Sequence, residues 1–397
     1  MRTSTSLFFR QATAQLNRLQ AGLTETQLQI STGRRILNPA DDPVASAQIS
    51  TIEAALEQNA QFQSNAVLAD SRLAVEETTL IDVQNALFRL RDLAIQANND
   101  TQTFESRRFI AVEAEEVLGQ LVELGNRRDG QNNFVFGGFR SRTQPFSRTD
   151  AGVTYNGDEG ERRVQIGPSR FVVDGDSGAT VFMNVPNGNG EIRTQVSDAN
   201  TGTGVINDGS LVGLSRWTGE TFEIRFTGTA TYDVVDGGGA TVSTGTFSPG
   251  DSVSVPGATV RVDGQPESGD VFAIAPSQAQ DVFTTAQNFV DALRDEIAGP
   301  VGGAVFTNRI NNVLSDLDQG IGVVLDTRAR VGSRLQAIEN QQASNEDFNL
   351  TLQTTRSELQ DVDFTEAISR LNQQLTSLQA AQQSFVRIQG LSLFDVL

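Results

Sequence analysis

The chain has 397 residues, 38% of them apolar, with no Cys, no His and a formal charge of −19 at pH 7, and all 30 of its basic residues are Arg. That inventory excludes the commonest general base, the thiol and imidazole zinc ligands, a Schiff-base lysine and a phosphate loop closed by Lys. The acidic surplus is unsuited to nucleic acid or to an anionic membrane, both of which ask for basic patches.

What remains is carboxylate chemistry alone, so no enzyme activity, no metal and no cofactor are expected. A thiol-free chain suits passage between redox compartments, or secretion in unfolded form. At the start, the short run Leu7, Phe8, Phe9 is cut off by Arg10 and lacks the apolar core of a Sec signal; no later run reaches membrane-spanning length. Export, if it occurs, is expected by another route. The length predicts two or three domains.

Leu16, Leu19, Leu23, Thr26 and Ile30 recur at steps of three and four, a narrow stripe along one helix that stops at Gly33. Asn38 to Pro43 interrupts it, with Asp42 placed to cap a second helix whose first residue is Pro43. Leu73, Leu80, Val83, Leu87, Leu90, Ala94 and Ala97 then keep a seven-residue repeat. After a polar turn at 98–101, Ala111, Ala114, Leu118 and Leu121 resume it, which predicts a helical hairpin.

From about residue 130 the texture changes. Of the 36 Gly, 22 fall between 151 and 275, among short alternating runs such as Phe222, Ile224 and Phe226, Val253 with Val255, and Val260 with Val262. Alternation bounded by turn residues predicts an all-β insert. Asp174 and Asp176 lack the closing Glu of a calcium loop and read as turn residues. Trp217 and Tyr232 read as core or edge residues of strands.

Helical spacing returns with Val282, Ala286, Phe289 and Leu293. Ile310, Leu317, Val324, Val331 and Ile338 then fall at strict sevens beside Leu314, Ile321 and Leu335, which is coiled-coil spacing. A last helix carries Ile368, Leu371, Leu375 and Leu378, a polar Gln382 where a core residue is due, and Phe385. A buried amide at Gln382 is expected to fix register. The expected class is α+β: an elongated α-helical coiled-coil rod formed by both chain ends, with an inserted all-β domain in the middle. A rod with unsatisfied seams tends to polymerise.

Ser31-Thr-Gly-Arg-Arg-Ile36 followed by Pro39-Ala-Asp-Asp-Pro43 resembles the N-terminal signature of the flagellin superfamily. Asn126 to Gly130, Phe134 to Gly138, Tyr155 to Asp158, Arg328 to Ile338, Asp361 to Ile368 and Leu391 to Leu397 resemble later stretches of the same family. The ending Phe394-Asp395-Val396-Leu397 departs from an aromatic residue common beside the last Leu. Asp42-Pro43-Val44-Ala45 resembles the branch that joins hook to filament. The filament subunit, flagellin itself, is the alternative, but it typically has Asp-Asp-Ala-Ala where this chain has Asp41 to Val44, and Leu-Leu-Arg near its end where this chain has Leu393 to Asp395.

The resemblance implies a paired terminal-helix inner domain (1–42 plus 355–397), a helical-bundle rod (43–150 plus 276–354) and an inserted β domain (151–275). It implies a subunit exported by the flagellar type III apparatus and located at the flagellum, outside the cell. The implied partners are the first hook-associated junction protein, flagellin, copies of itself in a ring and an export chaperone. The expected assembly interface comprises Leu16, Leu19, Leu23, Ile30, Ile368, Leu371, Leu375, Leu378, Phe385, Leu391, Leu393 and Phe394.

Overall fold

The computed structural model describes residues 2–149, 152–212, 217, 219–295 and 299–394, with backbone only for 2–6, 8, 299–301 and 388–394. Six long or medium helices frame a β region, as the α+β reading expects: α1 (Arg2–Thr32), α2 (Pro43–Ala97), α3 (Phe104–Gly125), α4 (Val282–Arg294), α5 (Gly299–Gln360) and α6 (Phe364–Phe394). The chain divides into two compact units, Met1–Ser64 with Gln341–Leu397, and Asn65–Asn340.

The larger unit is built on the heptad rows read from the sequence. Leu73, Leu80, Val83, Leu87, Leu90, Ala94 and Ala97 of α2 are buried against α3, α4 and α5, whose Ala114, Leu118, Leu121, Phe289, Ile310, Leu317, Val324 and Val331 join the same core. Burial at every seventh position follows from helix geometry, since seven residues make nearly two turns and return to one face. The helix starts are capped: Thr103 Oγ1 accepts the Ser106 N–H at 3.2 Å, and Asp281 Oδ1 accepts that of Thr284 at 2.7 Å. At the rim of the bundle, Arg89 reaches Glu113 of α3, while Arg91 and Arg328 tie α2 to α5 through Asp318 and Glu77.

The stretch after α3 packs on this same bundle. Two small hairpins, β1 (Phe146–Thr149) with β2 (Gly152–Tyr155) and β3 (Arg163–Gln165) with β4 (Phe171–Val173), precede a π-helical turn at Ala179–Met183. Phe182 stacks on Phe283 of α4 at a centroid distance of 5.7 Å, and Phe146 meets the same ring at a tilt, 5.1 Å away. Gly178 is required there, because a Cβ would stand 2.6 Å from the Phe146 ring. Asp174 and Asp176, read as turn residues from the sequence, are buried and ion-paired with Arg162 and Arg334. Local spacing cannot reveal such partners.

A separate hydrophobic core runs from Ile192 to Ile274. It is entered through β5 (Val185–Pro186) and left through β15 (Ala279–Gln280), which pair antiparallel, so the chain leaves beside the point at which it entered. Between them lie β6 (Ile192–Val196), β7 (Val205–Ile206), β8 (Ser210–Leu211), β9 (Phe222–Gly228), β10 (Thr231–Asp236), β11 (Thr241–Thr246), β12 (Ser252–Val255), β13 (Ala258–Asp263) and β14 (Val271–Pro276). One sheet has the order β11-β10-β9-β14-β6; a second has β12-β13-β7, with β8 also on β13. Phe222, Ile224 and Phe226 turn to the core on alternate residues of β9, as their spacing predicts. Trp217 packs against Phe222 at 5.8 Å, a core contact.

Polar side chains of α5 hold this β body in place. The Asn308 carboxamide accepts the Ile206 N–H at 2.9 Å and donates to the Gly204 carbonyl at 3.0 Å. Asp316, eight residues on, accepts the Gly188 N–H at 2.7 Å and the Gln280 side-chain amide at 2.9 Å. Burial holds the Asp316 carboxyl above its ordinary range despite those donors.

Candidate assembly interface

In the smaller unit α1 and α6 pack antiparallel. Phe9 meets Phe385 edge-on at 5.9 Å, and an added Cβ at Gly22 would touch Gln374 at 3.6 Å, while one at Gly33 would touch Phe364 at 4.0 Å. Residue numbers that rise along one helix therefore fall along the other. Leu16, Leu19, Leu23 and Ile30 of α1 are half-buried, as are Leu371, Leu378 and Phe385 of α6. The seam residues of the two chain ends are thus brought together by pairing.

Ile368 and Leu375 lie on a different row of α6, with 49% and 36% of their surface exposed. Gln382, seven residues after Leu375, shares that row and is exposed. The expectation that its amide is buried to fix register is therefore corrected: the heptad row 368, 375, 382 points away from α1, and Ala367, Leu371, Leu378 and Phe385 supply the packed face instead. Leu391, Leu393 and Phe394 belong to the last turns of α6, and their side chains lie outside the described residues.

The two ends are locked where α1 stops. Gly33 takes φ +71°, a conformation open to glycine, and turns the chain. The Arg35 N–H then donates to the Gln360 carbonyl at 2.7 Å, and the Val362 N–H to that of Gly33 at 3.0 Å, so the turn after α1 pairs with the turn before α6. Next, Asp41 Oδ2 accepts the Leu37 and Asn38 N–H groups, and Asp42 Oδ1 accepts that of Ala45 at 3.0 Å. The two acids serve as turn and cap, with Pro43 opening α2.

Sequence periodicity missed several exposed apolar side chains of this unit. Val44, Phe348, Leu350, Phe364 and Val386 all face outward. Their signal was available as large apolar residues lying off the helical stripe, where a solvated helix carries polar ones. Among the described residues no group of three or more His, Cys, Asp or Glu is placed to hold a metal, and no helix is long and apolar enough to cross a membrane. The arrangement offers an apolar surface for association.

The family model for the bacterial flagellin N-terminal helical region matches residues 4–140, and that for the C-terminal helical region matches 314–397. The crystal structure of FlgL from Xanthomonas campestris is similar with a TM-score of 0.74 and 32% sequence identity, over 77% of this chain and 99% of that one. A crystal structure of flagellar hook associated protein-3 from Legionella pneumophila gives a TM-score of 0.75 and 29% identity, over 78% of this chain and 98% of that one. By sequence, the chain is 24% identical over 396 residues to flagellar hook-associated protein 3 of Escherichia coli strain K12, spanning 100% of this chain and 99% of that protein.

Proposed function

This chain belongs to the flagellin family, in its branch of hook-filament junction proteins, and on that premise we propose that it is the structural subunit joining hook to filament in a bacterial flagellum. The observation that carries this reading is that the likeness to the junction proteins spans nearly their whole length, middle included, whereas the flagellin models match only the helical ends.

The subunit acts by geometry and not by catalysis; no cofactor takes part. Its place is the outside of the cell, reached through the flagellar type III apparatus. Its neighbours are the first hook-associated junction protein on one side, flagellin on the other, and copies of itself in a ring; an export chaperone holds it beforehand. Its domains are the paired terminal helices, 1–42 with 355–397, the helical-bundle rod, 43–150 with 276–354, and the inserted β region, 151–275, whose own core runs from Ile192 to Ile274.

The seam is Leu16, Leu19, Leu23, Ile30, Leu371, Leu378 and Phe385 in the terminal pair, with Ile368 and Leu375 offered to neighbouring subunits and Leu391, Leu393 and Phe394 completing it. The exposed row supports this assignment, because apolar side chains left in water on a paired helix gain by association.

The test is deletion of the gene. Cells without this chain should keep hooks, lose filaments and shed flagellin into the medium, and the chain supplied in trans should restore filaments. Deleted cells that still grow normal filaments would refute the assignment.

A further inference from the structure

Between α2, α5 and the segment after β4 the larger unit buries a cluster of charge. Three carboxylates there each have a guanidinium. Arg72 Nη1 donates to Asp129 Oδ2 at 3.1 Å, Arg162 Nη2 to Asp174 Oδ2 at 3.0 Å, and Arg334 to the two oxygens of Asp176 at 2.8 and 3.1 Å. Glu76 is the fourth carboxylate and has no arginine of its own. It is 0% exposed; its Oε1 accepts the Asp176 N–H at 2.9 Å, and its Oε2 has no hydrogen-bond partner.

Most donors of the surrounding cations are committed, although Arg72 Nε is buried without a hydrogen-bond partner. Arg72, one turn back on α2, spends its Nη groups on Asp129 and on the carbonyls of Phe134 and Val135. Glu77 is paired with Arg328 of α5. Gly175 passes between Arg72 Nε and Glu76 Oε2, both within 3.5 Å of where its Cβ would be. Three cations facing four acids balance only if one acid keeps its proton, and Glu76 is the one without a counter-ion.

We propose that Glu76 is a protonation latch: with its proton it holds the 174–178 segment between α2 and α5, and on ionisation it releases that segment. Released, the segment loses its hold on both helices, because the Asp176 N–H and the Arg334 pair are its attachments to them. The β body from Ile192 to Ile274 has its own core and stays folded.

Burial first, then the Asp176 charge, pushes the Glu76 carboxyl up to about 8 from an ordinary 4.5. A folded value above the unfolded one means that the contribution to stability is complete below pH 4.5 and is lost as pH rises through about 8.

Hydrogen exchange of the full chain, followed by mass spectrometry from pH 6 to 9.5 and normalised for intrinsic rate, reads the latch in peptides covering 172–182. Wild type should lose protection by about tenfold per pH unit from pH 6 to about 8 and level off above it. Glu76→Gln should hold its protection across the range. Asp176→Asn frees Arg334 to serve Glu76 as counter-ion, so it too should abolish the loss with rising pH, and it provides the test should Glu76→Gln fold poorly. Wild-type protection that stays flat to pH 9.5, or either variant loosening at the wild-type pH, would overturn the proposal.

Discussion

Asp42 and Glu76 sit at the start and in the middle of the same long helical run, and their partners explain why one is legible in the sequence and the other is not. Asp42 caps a residue three positions on, and a carboxylate before Pro announces that role. Replacing it with Ala should cost about 1 kcal/mol of stability, read as a lower denaturant midpoint with an unchanged slope. A neutral result would mean that the Asp41 turn carries the corner without Asp42 or its pair with Arg35. Glu76 finds its partner 100 residues away, and Asp176 finds Arg334 across 158. No local pattern encodes such distances, which is why Asp176 passes for a turn residue when only spacing is read.

At the scale of elements, helical rows were legible wherever both neighbours of a helix lie in the same core. Ile310, Leu317, Val324, Val331 and Ile338 are all buried as their sevens predict. The terminal pair was legible only in part, because the described residues of α6 pack along α1, and a single neighbour covers one row. Leu378 is thereby half-buried while Leu375 stays exposed. The two positions should separate in experiment. Leu375→Asp should leave the thermal midpoint of the purified subunit unchanged yet yield protein that is shed into the medium and not incorporated, since a charge placed in a subunit interface lacks a partner there. Leu378→Asp should in addition speed hydrogen exchange of residues 9–30 and 365–387, as it strikes the contact between α1 and α6. Normal filaments from Leu375→Asp would remove that residue from the seam.

At the scale of the whole molecule, the order of helical ends around a β region followed from composition and period alone, whereas the place where the β body begins did not. Residues 134–186 look like strand and turn in sequence but pack on the helical bundle through Phe136, Phe146 and Phe182. The separable body lies between Asn187 and Gln278, where the Asn187 N–H donates to the Gln278 carbonyl at 2.9 Å and the ends of the excursion meet. Replacing 188–277 by a short Gly-Ser linker should therefore leave the helical core folded and the cells motile. Loss of filaments from a mutant whose purified subunit keeps its helical circular dichroism would show that the β body takes part in assembly. The central claim is that this chain is a junction subunit and not the filament's own. Immunogold labelling of intact flagella with an antibody to the β body tests it most directly: the account predicts label confined to a short band where hook meets filament, and label running along the filament would contradict it.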